Sequence, residues 1–65
     1  MQIVDILKTI IGFTEQNTIE FVTSHGLKYR VSSRDGLSLV LTRDFNRNRI
    51  NVNIVGGIVI SSNIG

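Results

Sequence analysis

The sequence predicts an α+β domain, with one or two helices packed on a small β-sheet, and three observations carry the prediction. Apolar residues recur at helical spacing as far as Gly26 and at strand spacing beyond it. Ile50-Asn51-Val52-Asn53-Ile54 alternates without a break, and Gly56-Gly57 then separates it from a second apolar strand, as in a hairpin. The chain has 65 residues and no cysteine, so a single domain, residues 1–65, must be held by packing alone. A domain of that size buries only about 60% of its unfolded surface. Its 42% apolar content supplies one core, mainly Ile, Val and Leu, and leaves little room for a large enclosed active site.

Ile3, Ile6, Leu7, Ile10 and Ile11 fall on one helical face, and Gly12 stands where a left-handed cap belongs. This predicts an amphipathic helix over residues 2 to 11. Thr14 begins a second helix, roughly residues 14 to 25, with Asn17 three positions on and Glu15 in the first turn. Ile19, Phe21 and Val22 give it an apolar side, and His25-Gly26 ends it.

In Lys28-Tyr29-Arg30-Val31-Ser32 the spacing changes to two, which puts Tyr29 and Val31 on one face of a strand. Residues 50–54 form the clearest strand, with apolar residues on one side and Asn on the other. Ile58-Val59-Ile60-Ser61-Ser62 returns as its antiparallel partner. Between Ser33 and Asn48 the periodicity is ambiguous. Asp35-Gly36 either closes a hairpin between residues 28–33 and 37–42 or begins one long connection. Thr42 to Asn48 is polar apart from Phe45, and composition alone reads it as a solvated loop.

The net charge is +2, from seven Lys and Arg against five Asp and Glu. Charge alone therefore does not imply nucleic acid, although Lys28, Arg30, Arg34, Arg43, Arg47 and Arg49 cluster in the sequence. No apolar run reaches membrane-spanning length. The N-terminal stretch carries Asp5 and Lys8 and does not read as a signal peptide, which leaves the compartment open between cytoplasm and secretion after loss of an upstream signal. Catalytic parts are missing. His25 is single and sits at a helix end, where a structural role is expected. Asp5, Glu15, Glu20, Asp35 and Asp44 have no metal-ligand or acid-base spacing. Gly56-Gly57 lacks the Lys and following helix of a phosphate loop. No enzyme activity, cofactor or metal is expected.

Leu41-Thr42-Arg43-Asp44-Phe45-Asn46-Arg47-Asn48-Arg49-Ile50 resembles, without a gap, the reactive-site region of the potato inhibitor I family of serine protease inhibitors. Family loops read roughly Val-Thr-Met-(Glu/Asp)-Tyr-x-x-x-Arg-(Val/Leu). The small bacterial and fungal relatives continue Arg-Leu-Asn-Val, and Arg49-Ile50-Asn51-Val52 is the closer match to them. Ile11-Gly12-Phe13-Thr14 is similar to the family's step into its helix, and Ile64-Gly65 to the plant members' ending, so the resemblance covers roughly residues 10 to 65. The N-terminal helix is similar to one in the bacterial and fungal group. Against the plant pattern, a residue or two is added near Ser33-Arg34-Asp35-Gly36, and Asn51 stands where those members have a second basic residue.

The resemblance implies a mixed sheet with an exposed reactive-site loop, and a scissile bond at Arg43-Asp44 presented to a serine protease. Leu41, Thr42, Arg43, Asp44 and Phe45 would form the protease-binding loop, with Arg43 in the primary specificity pocket of a trypsin-like or subtilisin-like target. A long basic side chain suits a pocket with a carboxylate at its base. Arg49 would reach back to bond Thr42 and Asp44, with Asn51 adding a weaker bond and the Gly65 carboxylate a further acceptor if the natural chain ends there. Phe45 would either touch the protease or pin the base of the loop. Two other readings remain: a basic nucleic-acid-binding module, for which only Tyr29 and Phe45 offer stacking, and a regulatory or adaptor protein dimerising through the residue 3–11 stripe.

Overall fold

A computed structural model describes residues 2–39 and 42–65. It shows a small α+β domain in which two helices pack on one face of a mixed four-stranded sheet. In chain order the elements are α1 (Ile3–Thr9), α2 (Glu15–Ser24), β1 (Lys28–Arg34), β2 (Leu37–Ser38), β3 (Arg49–Val55) and β4 (Ile58–Ile64). Their order across the sheet is β2-β1-β3-β4.

α1 is shorter than the apolar stripe predicts. It ends at Thr9, and residues 10–12 turn so that Gly12, at φ 91°, can leave the helix. The stripe still does its packing: Ile6 and Ile10 are buried, and Ile3 and Leu7 lie against the core. α1 is fastened to the sheet by the Ser62 hydroxyl, which donates to the Leu7 carbonyl at 2.7 Å. α2 begins where its capping residues indicate, the Thr14 hydroxyl accepting from the Asn17 N–H at 3.2 Å. Val22 and Thr18 face inward, and the Thr18 hydroxyl is satisfied by the Thr14 carbonyl at 2.8 Å. At the other end His25 Nδ1 lies 2.8 Å from the Phe21 carbonyl, and its ring packs on Phe21 at 4.6 Å. His25 thus closes a helix end.

In β3 the alternation is realised directly, with Ile50, Val52 and Ile54 fully buried beneath the helices. β4 pairs with it antiparallel through the Gly56-Gly57 turn, both glycines at positive φ. A bulge at Ile60 shifts the register between Ile54↔Val59 and Asn53↔Ser61. The apolar run Ile58-Val59-Ile60 gives no hint of this shift. It leaves Val59 buried and Ile60 exposed, and it turns Ser62 and Ile64, rather than Ser61 and Asn63, toward the helices. The outer edge of β4 is met at Val59 by the interhelical linker: Gly12 N–H donates to the Val59 carbonyl at 2.8 Å, and Val59 N–H to the Phe13 carbonyl at 2.9 Å.

β1 runs parallel to β3, and this creates the loop. Two adjacent parallel strands require the chain to leave β1 at one end of the sheet and re-enter β3 at the other, about 20 Å away for seven residues. Asp35 and Gly36, at φ 53° and 81°, close a hairpin onto β2, so the turn chemistry holds. Of the hairpin arm expected over 37–42, the described strand is Leu37–Ser38, both exposed, and residues 40 and 41 lie outside the described residues. Asp35 also ties the two turns together, its carboxylate accepting from the Gly56 N–H at 2.8 Å.

Candidate functional site

The helix-free face of the sheet carries polar side chains at its centre and toward the loop, where Arg30, Ser33, Asn51, Asn53 and Ser61 meet one another. Asn53 is its middle rung, accepting from the Ser33 hydroxyl at 2.7 Å and donating through Nδ2 to Ser61 at 2.6 Å. One rung nearer the loop, Arg30 of β1 and Asn51 of β3 stand side by side. Asn51 is only 5% exposed, and its Oδ1 accepts from Arg30 Nε at 2.8 Å. Arg49 occupies the start of β3 at the same end.

These side chains reach the loop on both sides of Arg43. Arg30 Nη1 donates to the Thr42 hydroxyl at 3.0 Å, and Arg49 Nη2 donates to the Asp44 main-chain oxygen at 2.8 Å. The Asp44 carboxylate sits 3.6 Å from the same guanidinium. Both arginines then converge on the Gly65 main-chain oxygen, which accepts from Arg30 Nη2 at 3.3 Å and from Arg49 Nε at 3.0 Å and its Nη2. The Asn46 N–H adds a fourth donor at 3.3 Å. Arg49 is further fixed through its main chain, since its carbonyl accepts from the Gly65 N–H and its N–H donates to Asn46. Arg43 itself is exposed.

The scaffold thus differs from the sequence-based expectation at Thr42 and at Asn51. Thr42 is held by Arg30 and not by Arg49, which bonds Asp44 and Gly65. By sequence alone Arg30 belongs with the clustered cations of a basic surface. Its signal was present in the alternation, since Tyr29 and Val31 facing the core put Arg30 on the opposite face, but only the β1-β3 register brings it beside Asn51. Asn51 acts as the brace that orients Arg30. Leu41 lies outside the described residues. Phe45 is 72% exposed, and a Cβ added at Gly65 would stand 3.8 Å from its ring, so the ring both borders Gly65 and faces outward.

No family model, curated protein or solved structure matches the chain.

The electrostatics follow the same geometry. The Thr42 hydroxyl is the largest influence holding the Asp44 carboxyl below the ordinary Asp range, and the Arg49 and Arg30 guanidiniums add to it. At the far end of the sheet Arg34 forms a two-pronged ion pair with Glu15, at 2.8 and 2.9 Å, and Tyr29 donates to the same carboxylate at 3.1 Å. The hydrogen bond from Arg34 is the main cause of the lowered Glu15 pKa. Of the six clustered cations, then, Arg34 is engaged with α2 and Arg30 and Arg49 are half-buried behind the loop. Lys28, Arg43 and Arg47 are exposed. Among the described residues no three His, Asp or Glu side chains come together as metal ligands.

Proposed function

We propose that the protein is a substrate-like serine protease inhibitor of potato inhibitor I type, with Arg43-Asp44 as its reactive bond and trypsin-like or subtilisin-like enzymes as targets. The observation that carries this reading is the double tether: Thr42 and Asp44 are bonded from behind by arginines on adjacent strands, while Arg43 between them is exposed. A loop already fixed in shape loses little entropy when it docks, and after attack on the carbonyl the new amine stays poised to re-form the bond. Rigidity thus separates an inhibitor from a substrate. Charge-assisted bonds from planar guanidiniums are suited to supplying it. The matching string from Leu41 to Val52 supports the same reading, and Asn51 departs from the plant pattern at a position where Arg30 brings in a guanidinium from the neighbouring strand.

The half-buried, loop-bonded state of Arg30 and Arg49 and the pairing of Arg34 with Glu15 weigh against a flat basic nucleic-acid surface. The test is direct. The protein is incubated with trypsin, chymotrypsin and subtilisin, residual activity is measured, and any slow cleavage site is sequenced. Tight inhibition with a cut between Arg43 and Asp44 is expected; rapid degradation at many sites, or no effect on any of the three enzymes, defeats the reading.

A further inference from the structure

The charge of this molecule is not spread evenly, and the fold decides where it goes. β1 begins, β3 begins and β4 ends at the loop end of the sheet. That end holds Lys28, Arg30, Arg43, Arg47 and Arg49, five of the seven basic residues, together with Asp44, one of the five acidic ones. Five cations against one carboxylate leave it four positive in a chain of net +2, so the remainder is two negative. Glu15, Arg34 and Asp35 lie at the opposite end of the sheet, while Asp5, Lys8 and Glu20 are carried by the helices. The two ends of the seven-residue strands are about 20 Å apart, more than twice the Debye length of about 8 Å at physiological ionic strength. A partner approaching the loop therefore meets a positive surface, unreduced by the acidic groups at the other end.

Resting on the inhibitor reading above, we infer that the protease this loop fits carries carboxylates on the rim of its cleft, on the side that receives the residues following Arg43. Arg43 accounts for one carboxylate, at the base of the specificity pocket. Lys28 and Arg47 are exposed beyond it, and they are neighbours: Arg47 is four residues past Arg43, and the Lys28 N–H bonds to the Asn48 carbonyl at 2.7 Å. Among the described residues the basic side chains that bond the loop are Arg30 and Arg49, which leaves the side chains of Lys28 and Arg47 to act on the partner through charge. Such charges act chiefly on the association rate, by steering encounter, and only weakly on dissociation.

The experiment compares association and dissociation rates for an anionic and a cationic trypsin, both with the same pocket carboxylate, from about 20 to about 500 mM salt. Association with the anionic enzyme is expected to be about tenfold faster at low salt, with the gap closing as salt rises. The double variant Lys28→Glu, Arg47→Glu should lose that advantage with dissociation changed less than about twofold; Arg47→Gln alone, read with circular dichroism, covers a failure of the double variant to fold. Equal, salt-independent association with inhibition intact overturns the rim inference and leaves the inhibitor reading standing. Absence of inhibition of both trypsins and of subtilisin overturns the inhibitor reading itself. Salt-sensitive retention on single-stranded DNA or RNA without inhibition overturns both, assigning the basic end to nucleic acid.

Discussion

Arg49 and Arg30 hold opposite sides of Arg43, and their loss should be felt differently. Arg49→Ala removes bonds to the Asp44 and Gly65 main-chain oxygens. Three charge-assisted bonds are lost, and even two of them at about 1.5–3 kcal/mol each correspond to at least about a hundredfold in the inhibition constant; cleavage at Arg43-Asp44 should accelerate, seen as new termini by mass spectrometry. Arg30→Lys keeps the charge but cannot reach Asn51, Thr42 and Gly65 together, so a partial loss is expected where an isolated charge effect would give none. Arg43→Leu should redirect inhibition from trypsin to chymotrypsin or subtilisin with the melting temperature unchanged, because Arg43 is exposed. Asp44 sets an acid limit. Its folded-state pKa is depressed, so what it contributes is complete above the ordinary Asp value and is lost as pH falls through the depressed one. Inhibition should weaken over that acidic window in the native protein, and Asp44→Asn should flatten the profile.

At the scale of elements, the joint between α2 and β1 is also titratable, but on the alkaline side. Burial is the main cause raising the Tyr29 phenol, with the Glu15 carboxylate beside it adding to the effect. A raised folded-state value favours the neutral phenol, so the contribution is intact below about pH 10 and is lost as pH climbs above it. Thermal melts across that range should show Tyr29→Phe retaining its stability where the native chain declines. The elements themselves were legible to different degrees. α2 could be read from Thr14 to His25 because its caps are local chemistry, and β3 because every second residue is apolar. β1 was found, but its parallel partner was not, since pairing between Lys28 and Arg49 is decided by contacts far apart in sequence. The bulge at Ile60 was illegible for a related reason: Ile58, Val59 and Ile60 are all apolar, so nothing in the string says which faces in.

At the scale of the whole molecule stability is a small margin, since seven aliphatic side chains are buried among the described residues and the sequence has no cysteine. Ile10 is fully buried between α1 and the sheet, so Ile10→Ala should cost about 2–5 kcal/mol, most of what a domain this small has, and lower the melting temperature by at least about 10 °C. The site was half legible for the same global reason. Thr42, Arg43, Asp44 and Arg49 stand in one short string, and the resemblance adds Asn51 and Gly65, whereas Arg30 joins them only when β1 is laid beside β3. That convergence has a further consequence at Gly65. Its φ of 148° strains any residue but glycine, and an added Cβ would stand 3.2 Å from Asn51 Nδ2, so Asn51 would have to give by a few tenths of an ångström. Through the bonds that meet at the Gly65 oxygen, the end of β4 is tied to the described part of the loop that follows Arg43. Amide hydrogen exchange at Asn46, a surface loop position, should be slowed with the strands and released together with them, so that the loop opens only when the sheet does.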